Sequence, residues 1–161
     1  MTIEPEDPYE RVRQAVAARL GTLTPDLTDD LRTFIGRPFP KRVREVEFYV
    51  TEDDFSHCFP IAFECRDDRA NLVGEGMRGE VLPGRPPLLG ADDEVAYDER
   101  DPEGYWRGYV AELVTVWFAD CWKTAGGNAY PRRAFIRGHD SVRRYDLVRQ
   151  AWEDGRGNDW D

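Results

Sequence analysis

The sequence predicts a single α+β domain over residues 1–161, in which a small, mainly antiparallel sheet packs against one long central helix and two N-terminal helices. Apolar residues recur at helical spacing in the first 35 residues and again after residue 101, and they alternate with polar residues between positions 43 and 65. The composition, 40% hydrophobic over 161 residues, is sufficient for one buried core. We expect the sheet to consist of residues 43–50, 55–65 and 133–138.

Two helices are expected before the first strand. Asp7, Pro8 and Glu10 form an N-terminal capping pattern, and apolar residues then follow at helical spacing as far as Leu20. Gly21 is expected to end this first helix. A second helix is predicted from Thr24 to Gly36, because the proline-containing segment 37–40 cannot continue it.

A pair of strands is expected next. Val46, Phe48 and Val50 alternate with polar or aromatic residues, which predicts a half-buried strand over residues 43–50. After a turn, a second alternating run covers residues 55–65, so the two strands should form an antiparallel hairpin. Pro60 lies inside the second run and therefore suggests a free edge or a bulge there.

The connection over about residues 67–100 is rich in glycine and proline, and only a short strand near Glu80–Leu82 is expected within it. Seven acidic residues lie between Asp92 and Glu103. A connection of this length is uncommon in a compact domain unless it is functional or partly disordered.

The longest helix is expected over residues 101–125, with Asp101 as its N-cap and Pro102 in its first turn. Most of its surface is apolar, and the narrow band left for solvent includes Glu112, Thr115, Ala119 and Lys123. The sheet should therefore pack on this helix. The pair Gly126–Gly127 is expected to supply the left-handed residue that ends it.

The C-terminal segment has two interpretations. The spacing of apolar residues between Val142 and Trp152 favours a helix, whereas the alternation around Tyr145 suits two short strands. We predict the helix. Residues 155–161 are expected either to be disordered or to anchor Trp160 on the surface.

The net charge of −10 is confined to the middle of the chain. Residues 51–104 hold fifteen acidic residues against five basic ones, whereas the segments on either side are each close to neutral. Basic residues are frequent between Arg132 and Arg149. Binding to nucleic acid requires a net basic face, so we expect no nucleic-acid partner.

Cysteine usage and apolar runs bear on the compartment. The longest apolar run, residues 113–119, is too short for a membrane span, so we expect no association with a membrane. Cys58, Cys65 and Cys121 are odd in number and lack the spacing of redox or metal motifs. Such usage is typical of reduced thiols and predicts a cytoplasmic protein.

The sequence contains no P-loop, no G-x-S-x-G elbow and no H-E-x-x-H motif. Residues 74–79 read GEGMRG and match G-x-G-x-x-G in letters, but they lack a βαβ context and no helix is expected after them. Two histidines without further spaced ligands do not predict a metal centre. We therefore expect neither a cofactor nor a metal.

The first functional hypothesis is an acidic protein-binding module that occupies or neutralises a basic partner protein, as bacterial toxin-immunity proteins and inhibitors of basic nucleases do. The predicted contact residues are the acids of the connection, Asp92, Asp93, Glu94, Asp98 and Glu99. The competing interpretation of these acids is that they are only solvated, or that they pair with the late arginines of the same chain.

Two other functions are considered. One is an enzyme of unrecognised type with a polar site at a strand end, formed by His139, Asp140 and His57, in which a histidine acts as a base oriented by a carboxylate. The other is a self-associating structural subunit that uses its surplus of aromatic residues, Tyr105, Tyr109, Trp152 and Trp160.

Overall fold

The computed structural model describes residues 9–57, 59–74, 78–82 and 87–154, and it confirms an α+β architecture. Within these residues, three helices accompany a six-stranded mixed sheet with the strand order β3-β2-β1-β4-β5-β6. The helices are α1 (Glu10–Gly36), α2 (Ala91–Arg100) and α3 (Tyr105–Thr124). The strands are β1 (Glu45–Val50), β2 (Ile61–Arg66), β3 (Arg78–Glu80), β4 (Arg133–Gly138), β5 (Arg143–Asp146) and β6 (Ala151–Asp154).

Strand β1 lies at the centre of the sheet, because it pairs antiparallel with β2 and parallel with β4. The predicted hairpin and the predicted strand 133–138 are therefore confirmed, although β2 begins only at Ile61. Phe55 and Phe59 are buried in an irregular segment before β2, so their alternation reflects side-chain packing rather than a strand. β2 is paired on both sides, and the free edge that Pro60 suggested is wrong.

The prediction of two N-terminal helices is wrong, because α1 continues without a break through Gly21 and Pro25. The buried side chains of α1 keep one helical spacing across both residues: Val12, Val16, Leu20, Leu23, Leu27 and Leu31. Packing of this apolar stripe against α3 outweighs the backbone hydrogen bond that Pro25 removes. The indole of Trp117 on α3 also donates a hydrogen bond to the Thr24 hydroxyl, at 2.9 Å, one residue before the proline.

Helix α3 is the predicted spine of the molecule, and it packs against α1, β1 and β4. It begins at Tyr105, because Gly104 adopts a left-handed conformation, but Asp101 still accepts a hydrogen bond from the Trp106 amide at 2.9 Å. Thr115 and Ala119 were expected to face solvent and are buried, since helices and sheet enclose α3 on more than one side. None of the helices in the described ranges combines the length and apolarity needed to cross a membrane.

The acidic part of the predicted irregular connection is a helix, α2, and this corrects the sequence interpretation. Asp92, Asp93 and Glu94 occupy its first turn, where their charges interact favourably with the helix dipole. None of its residues is fully buried, so the helix has no complete apolar stripe for a periodicity analysis to detect. The short strand expected near Glu80–Leu82 is present as β3, two residues earlier.

The predicted helix over residues 141–152 is also wrong, because this segment forms the antiparallel hairpin of β5 and β6. Tyr145 and Trp152 face each other across the two strands in an edge-on ring contact with a centroid separation of 5.4 Å. Gln150 adopts a positive φ of 58° in the connecting turn, which a continuing helix would not allow. The tail 155–161, with Trp160, and Cys58 lie outside the described residues.

The face of the sheet opposite α1 and α3 carries a set of ion pairs centred on β1. Glu45 and Glu47 are both buried there, and the guanidinium groups around them belong to β2, β4 and β5. We call this set the ion-pair face, and it consists of Glu45, Glu47, Arg66, Arg133, Arg137 and Arg144. Its shortest contact joins Arg137 Nε to Glu47 Oε1 at 2.6 Å. Each buried carboxylate therefore has cationic partners, as burial of a charge requires.

Candidate functional site

The parallel pairing of β1 and β4 brings two acidic residues to the same edge of the sheet. Val50 is in register with Gly138, so the residues that follow, Glu52 and Asp140, leave the sheet side by side. The amide of His139 donates to the Val50 carbonyl at 2.9 Å and continues this register beyond the strand. Carboxyl ends of neighbouring parallel strands are frequent ligand sites in sheets with helices.

Arg107, in the first turn of α3, connects two acidic segments, the turn after β1 and the helix α2. Its guanidinium donates to the backbone carbonyls of Glu52 and Asp53 at 3.0 and 2.9 Å, and to the carboxylates of Glu94 and Asp98 at 3.0 and 2.9 Å. The Glu94 carboxylate also accepts from the amide of Phe55 at 3.0 Å. Arg107 therefore holds α2 against the turn that follows β1.

The resulting acidic surface joins the turn after β1, the helix α2 and the end of β4. It consists of Glu52, Asp53, Asp54, Asp92, Asp93, Glu94, Asp98, Glu99 and Asp140. All five acids predicted from the sequence as contact residues belong to it. The acids at positions 52–54, which are far from α2 in the sequence, reach the same surface only through the fold.

The five predicted acids have two different roles. Glu94 and Asp98 are one helical turn apart, face Arg107 and pair with it; the hydrogen bond from Arg107 is the main cause of the lowered pKa of Asp98. Asp92, Asp93 and Glu99 are exposed and form no ion pair among the described residues. Hence the carboxylates of these three acids of α2 are exposed to solvent and are not paired with a cation among the described residues.

An exposed valine lies on the outward face of α2. Val95 is 57% exposed and lies three residues after Asp92 and four before Glu99, so the three side chains share one face of the helix. The outward face of α2 thus combines a small apolar contact with two carboxylates.

The two histidines lie in separate ion pairs. His57 Nδ1 is 2.6 Å from the Asp54 carboxylate, which is the main cause of the raised pKa of His57. His139 Nδ1 is 3.3 Å from Asp140, and its ring lies beside that of Tyr49. The structure thus brings His139 and Asp140 together, whereas His57 pairs with Asp54 instead. Within the described ranges, the side chains form no group of three or more residues that could hold a metal ion.

A small pocket opens at the edge where β1 and β4 end. Its volume is about 270 Å³, and its polar lining includes Glu52, Glu112, Asp140, Ser141 and Arg143. Trp152 forms part of its wall, and the Arg143 guanidinium lies over the indole ring, 4.8 Å from the centroid. We call this cavity the edge pocket.

Glu52 lies in surroundings that disfavour its ionised form. Partial burial, followed by the charges of Asp140 and Asp53, raises its pKa. Its carboxylate lies against Gly138, where any side chain would overlap the Glu52 Oε1 atom. A side chain at position 138 would therefore displace the end of the Glu52 side chain, and the reason is space rather than backbone conformation, since the φ angle of Gly138 is not positive.

The sequence interpretation missed Glu52, Asp53 and Arg107 as parts of the site. Arg107 is one of only two basic residues in the predicted spine helix, and this was the available signal, because its position in the first turn follows only from the observed start of α3 at Tyr105. The contribution of residues 52–54 follows from the pairing of β1 with β4, which no local pattern reveals.

The aromatic residues proposed for self-association are distributed over two elements. Tyr105 is 67% exposed, and Tyr109 is partly buried; both lie on α3. Trp152 lies on β6, with its ring covered by Tyr145 and Arg143.

The two cysteines among the described residues, Cys65 and Cys121, are both buried free thiols. Comparison of the chain with protein-family models, with curated proteins and with solved structures gave no significant match.

Proposed function

We propose that this chain is an acidic binding module that occupies a basic surface on a partner protein. One observation carries the proposal: the late arginines do not neutralise the acidic segment. Arg133, Arg137 and Arg144 pair with Glu45 and Glu47 on the ion-pair face, and both glutamates lie outside residues 51–104. Eight of the fifteen acids of the middle segment lie on the acidic surface, and none of these eight pairs with Arg133, Arg137 or Arg144.

The geometry of α2 supports the same function. Arg107 fixes the helix through its inner carboxylates, so the outward residues Asp92, Val95 and Glu99 are presented on a rigid element. Pre-organised charges lose little conformational freedom on binding and accelerate the encounter with a cationic partner. The partner we expect is a protein whose contact surface is rich in lysine and arginine.

The class of partner follows the same reasoning. Proteins of the bacterial toxin-immunity or inhibitor kind neutralise basic enzymes with such surfaces, and this is the kind of activity we propose. We further propose a cytoplasmic location, which the buried free thiols of Cys65 and Cys121 support, and no role in binding nucleic acid.

The test is capture of a partner from a lysate of the source organism at low and high salt. The variant carries Asp92→Lys, Asp93→Lys and Glu99→Lys, and it leaves Asp98 intact because Asp98 pairs with Arg107. A matched variant carries Asp30→Lys, Asp68→Lys and Asp120→Lys, three exposed acids outside the acidic surface, so that both proteins have the same net charge.

We expect a basic protein to bind the wild type and the matched variant at low salt and to dissociate at high salt, because ions screen exposed charges beyond about 10 Å at 0.1 M. The α2 variant should not capture it. Equal capture by the two variants would show that only net charge matters, and would overturn the proposed surface. If the α2 variant still captured the partner and the His139→Ala variant did not, the result would instead favour a site at His139 and Asp140.

A further inference from the structure

We infer that the edge pocket binds one guanidinium group, carried by an arginine side chain of the basic partner. This inference rests on the proposed function and assigns the part of the partner that enters this pocket. The volume of about 270 Å³ is below the range of about 300–1,000 Å³ that is typical of sites for drug-sized ligands, so the pocket is suited to a smaller group such as the head of one side chain.

The lining of the pocket is suited to a cation. Three carboxylates contribute to it from three separate elements, Glu52 after β1, Glu112 on α3 and Asp140 after β4, against the single guanidinium of Arg143. Arg143 lies over Trp152 and, among the described residues, pairs with none of these carboxylates. The lining therefore keeps a net negative charge.

Glu52 is a partly buried carboxylate for which the described residues provide no hydrogen-bond donor. Its carboxylate accepts no hydrogen bond from the described residues and lies beside two other acids, although it is partly buried. Buried carboxylates are normally hydrogen-bonded, because an unpaired one costs free energy. The position of the Glu52 carboxylate also depends on Gly138, because a side chain at position 138 would occupy the space in which the carboxylate lies.

A guanidinium matches this geometry better than an ammonium. Glu52 and Asp140 leave the sheet side by side, so one planar group with five N–H donors can bind both. The pocket wall also offers the small residues Gly108 and Ala111, over which a flat group can lie.

The experiment is an NMR titration of the full chain with N-acetyl-arginine methylamide, compared with its neutral isostere N-acetyl-citrulline methylamide and with the lysine analogue. We expect saturable shifts of the Gly138 and Ser141 amides with the arginine probe, and none with citrulline. Glu52→Gln should lower the affinity for the arginine probe by about tenfold, because a charge-assisted hydrogen bond is lost. Asp68→Asn, which removes an equal charge outside both the pocket and the acidic surface, should leave the affinity unchanged.

Gly138→Ala provides a second variant that keeps every charge. The new methyl group displaces only the end of the flexible Glu52 side chain and makes an ordinary contact with Ala111, so the fold should persist. Its binding of arginine should fall as in Glu52→Gln. Equal shifts with citrulline, equal affinity for lysine, or insensitivity to both variants would each overturn the inference. Because no partner is present, these outcomes are independent of the capture experiment with the α2 variants.

Discussion

The ion-pair face and the acidic surface contain the same kinds of residue but arrange them differently. On the ion-pair face, Glu45 and Glu47 are buried and each lies within ion-pair distance of at least two arginines. On the acidic surface, one guanidinium, that of Arg107, binds two of nine carboxylates and leaves the outward ones exposed. Charge on the first face is paired within the sheet, whereas the outward charge on the second is exposed to solvent, as the proposed function requires.

The largest effect should come from Arg144→Ala on the ion-pair face. The Arg144 guanidinium pairs with Glu45 and Glu153 and lies 3.5 Å from the ring centroid of Phe135. Its removal takes one of two cationic partners from the buried carboxylate of Glu45, so we expect a loss of about 3–4 kcal/mol in the free energy of unfolding. Urea denaturation measures this loss.

The control for that variant is Arg149→Ala. The Arg149 side chain is 82% exposed and lies 3.9 Å from Asp146, so its removal should change stability by less than about 0.5 kcal/mol. Equal losses in the two arginine variants would mean that burial of the ion pairs does not determine their contribution.

Arg107→Ala should have the second-largest effect. The substitution removes the contacts to Glu94, Asp98 and two carbonyls, and we expect a loss of about 2–3 kcal/mol. Hydrogen exchange of the α2 amides should accelerate more than that of α3, because Arg107 fastens α2. Arg100→Ala, at the exposed end of α2, is the control and should cost a few tenths of a kcal/mol. Uniform acceleration throughout the chain would contradict a local role.

Reversing the exposed acids of α2 should cost less. We expect Asp92→Lys, Asp93→Lys and Glu99→Lys together to reduce stability by no more than about 1 kcal/mol, mainly through the helix dipole at positions 92 and 93. Far-ultraviolet circular dichroism should show unchanged helix content. A loss comparable to that of Arg144→Ala would show that these acids maintain the fold after all.

The smallest effect, with the opposite sign, is expected for Glu52→Gln, which should raise stability at neutral pH. The folded state raises the pKa of Glu52 above its ordinary value of 4.5, so folding disfavours the ionised form. That cost is fully present above the folded-state pKa and diminishes as the pH falls through it. At neutral pH the variant should therefore have the larger free energy of unfolding, and the difference should disappear below about pH 4. A wild type more stable than the variant at neutral pH would contradict the prediction.

Much of the fold follows from local patterns, but the site does not. Helix α3, the β1–β2 hairpin and β4 were predictable from apolar residues at helical or strand spacing, although β1 is buried on both faces and not half-buried as its alternation predicted. Helix α2 was not, because it buries no side chain fully and depends on Arg107 rather than on an apolar stripe. The two arrangements of acids depend on the parallel register of β1 and β4, which is a long-range property.

The continuity of α1 and the C-terminal hairpin show a different limit. Gly21 and Pro25 are strong local signals for a helix end, yet burial of a stripe from Val12 to Leu31 overrides them. Between Val142 and Trp152 the apolar spacing fits both a helix and two strands, and the cross-strand pair of Tyr145 and Trp152 decides between them.

The central position of β1 has a consequence for the order in which the chain can fold. Glu45 and Arg144, which meet on the ion-pair face, are 99 positions apart in the sequence, and β1 must likewise wait for β4. During synthesis, α1 and the β1–β2 hairpin emerge together with Arg66 but long before Arg133, Arg137 and Arg144, the other arginines that pair with the carboxylates of β1. In the nascent N-terminal half, Glu45 therefore lacks both of its arginine partners and Glu47 lacks one, and completion of the sheet awaits a distant loop closure. Such topologies fold slowly, because the entropy of closing a long loop is lost before the distant contacts form.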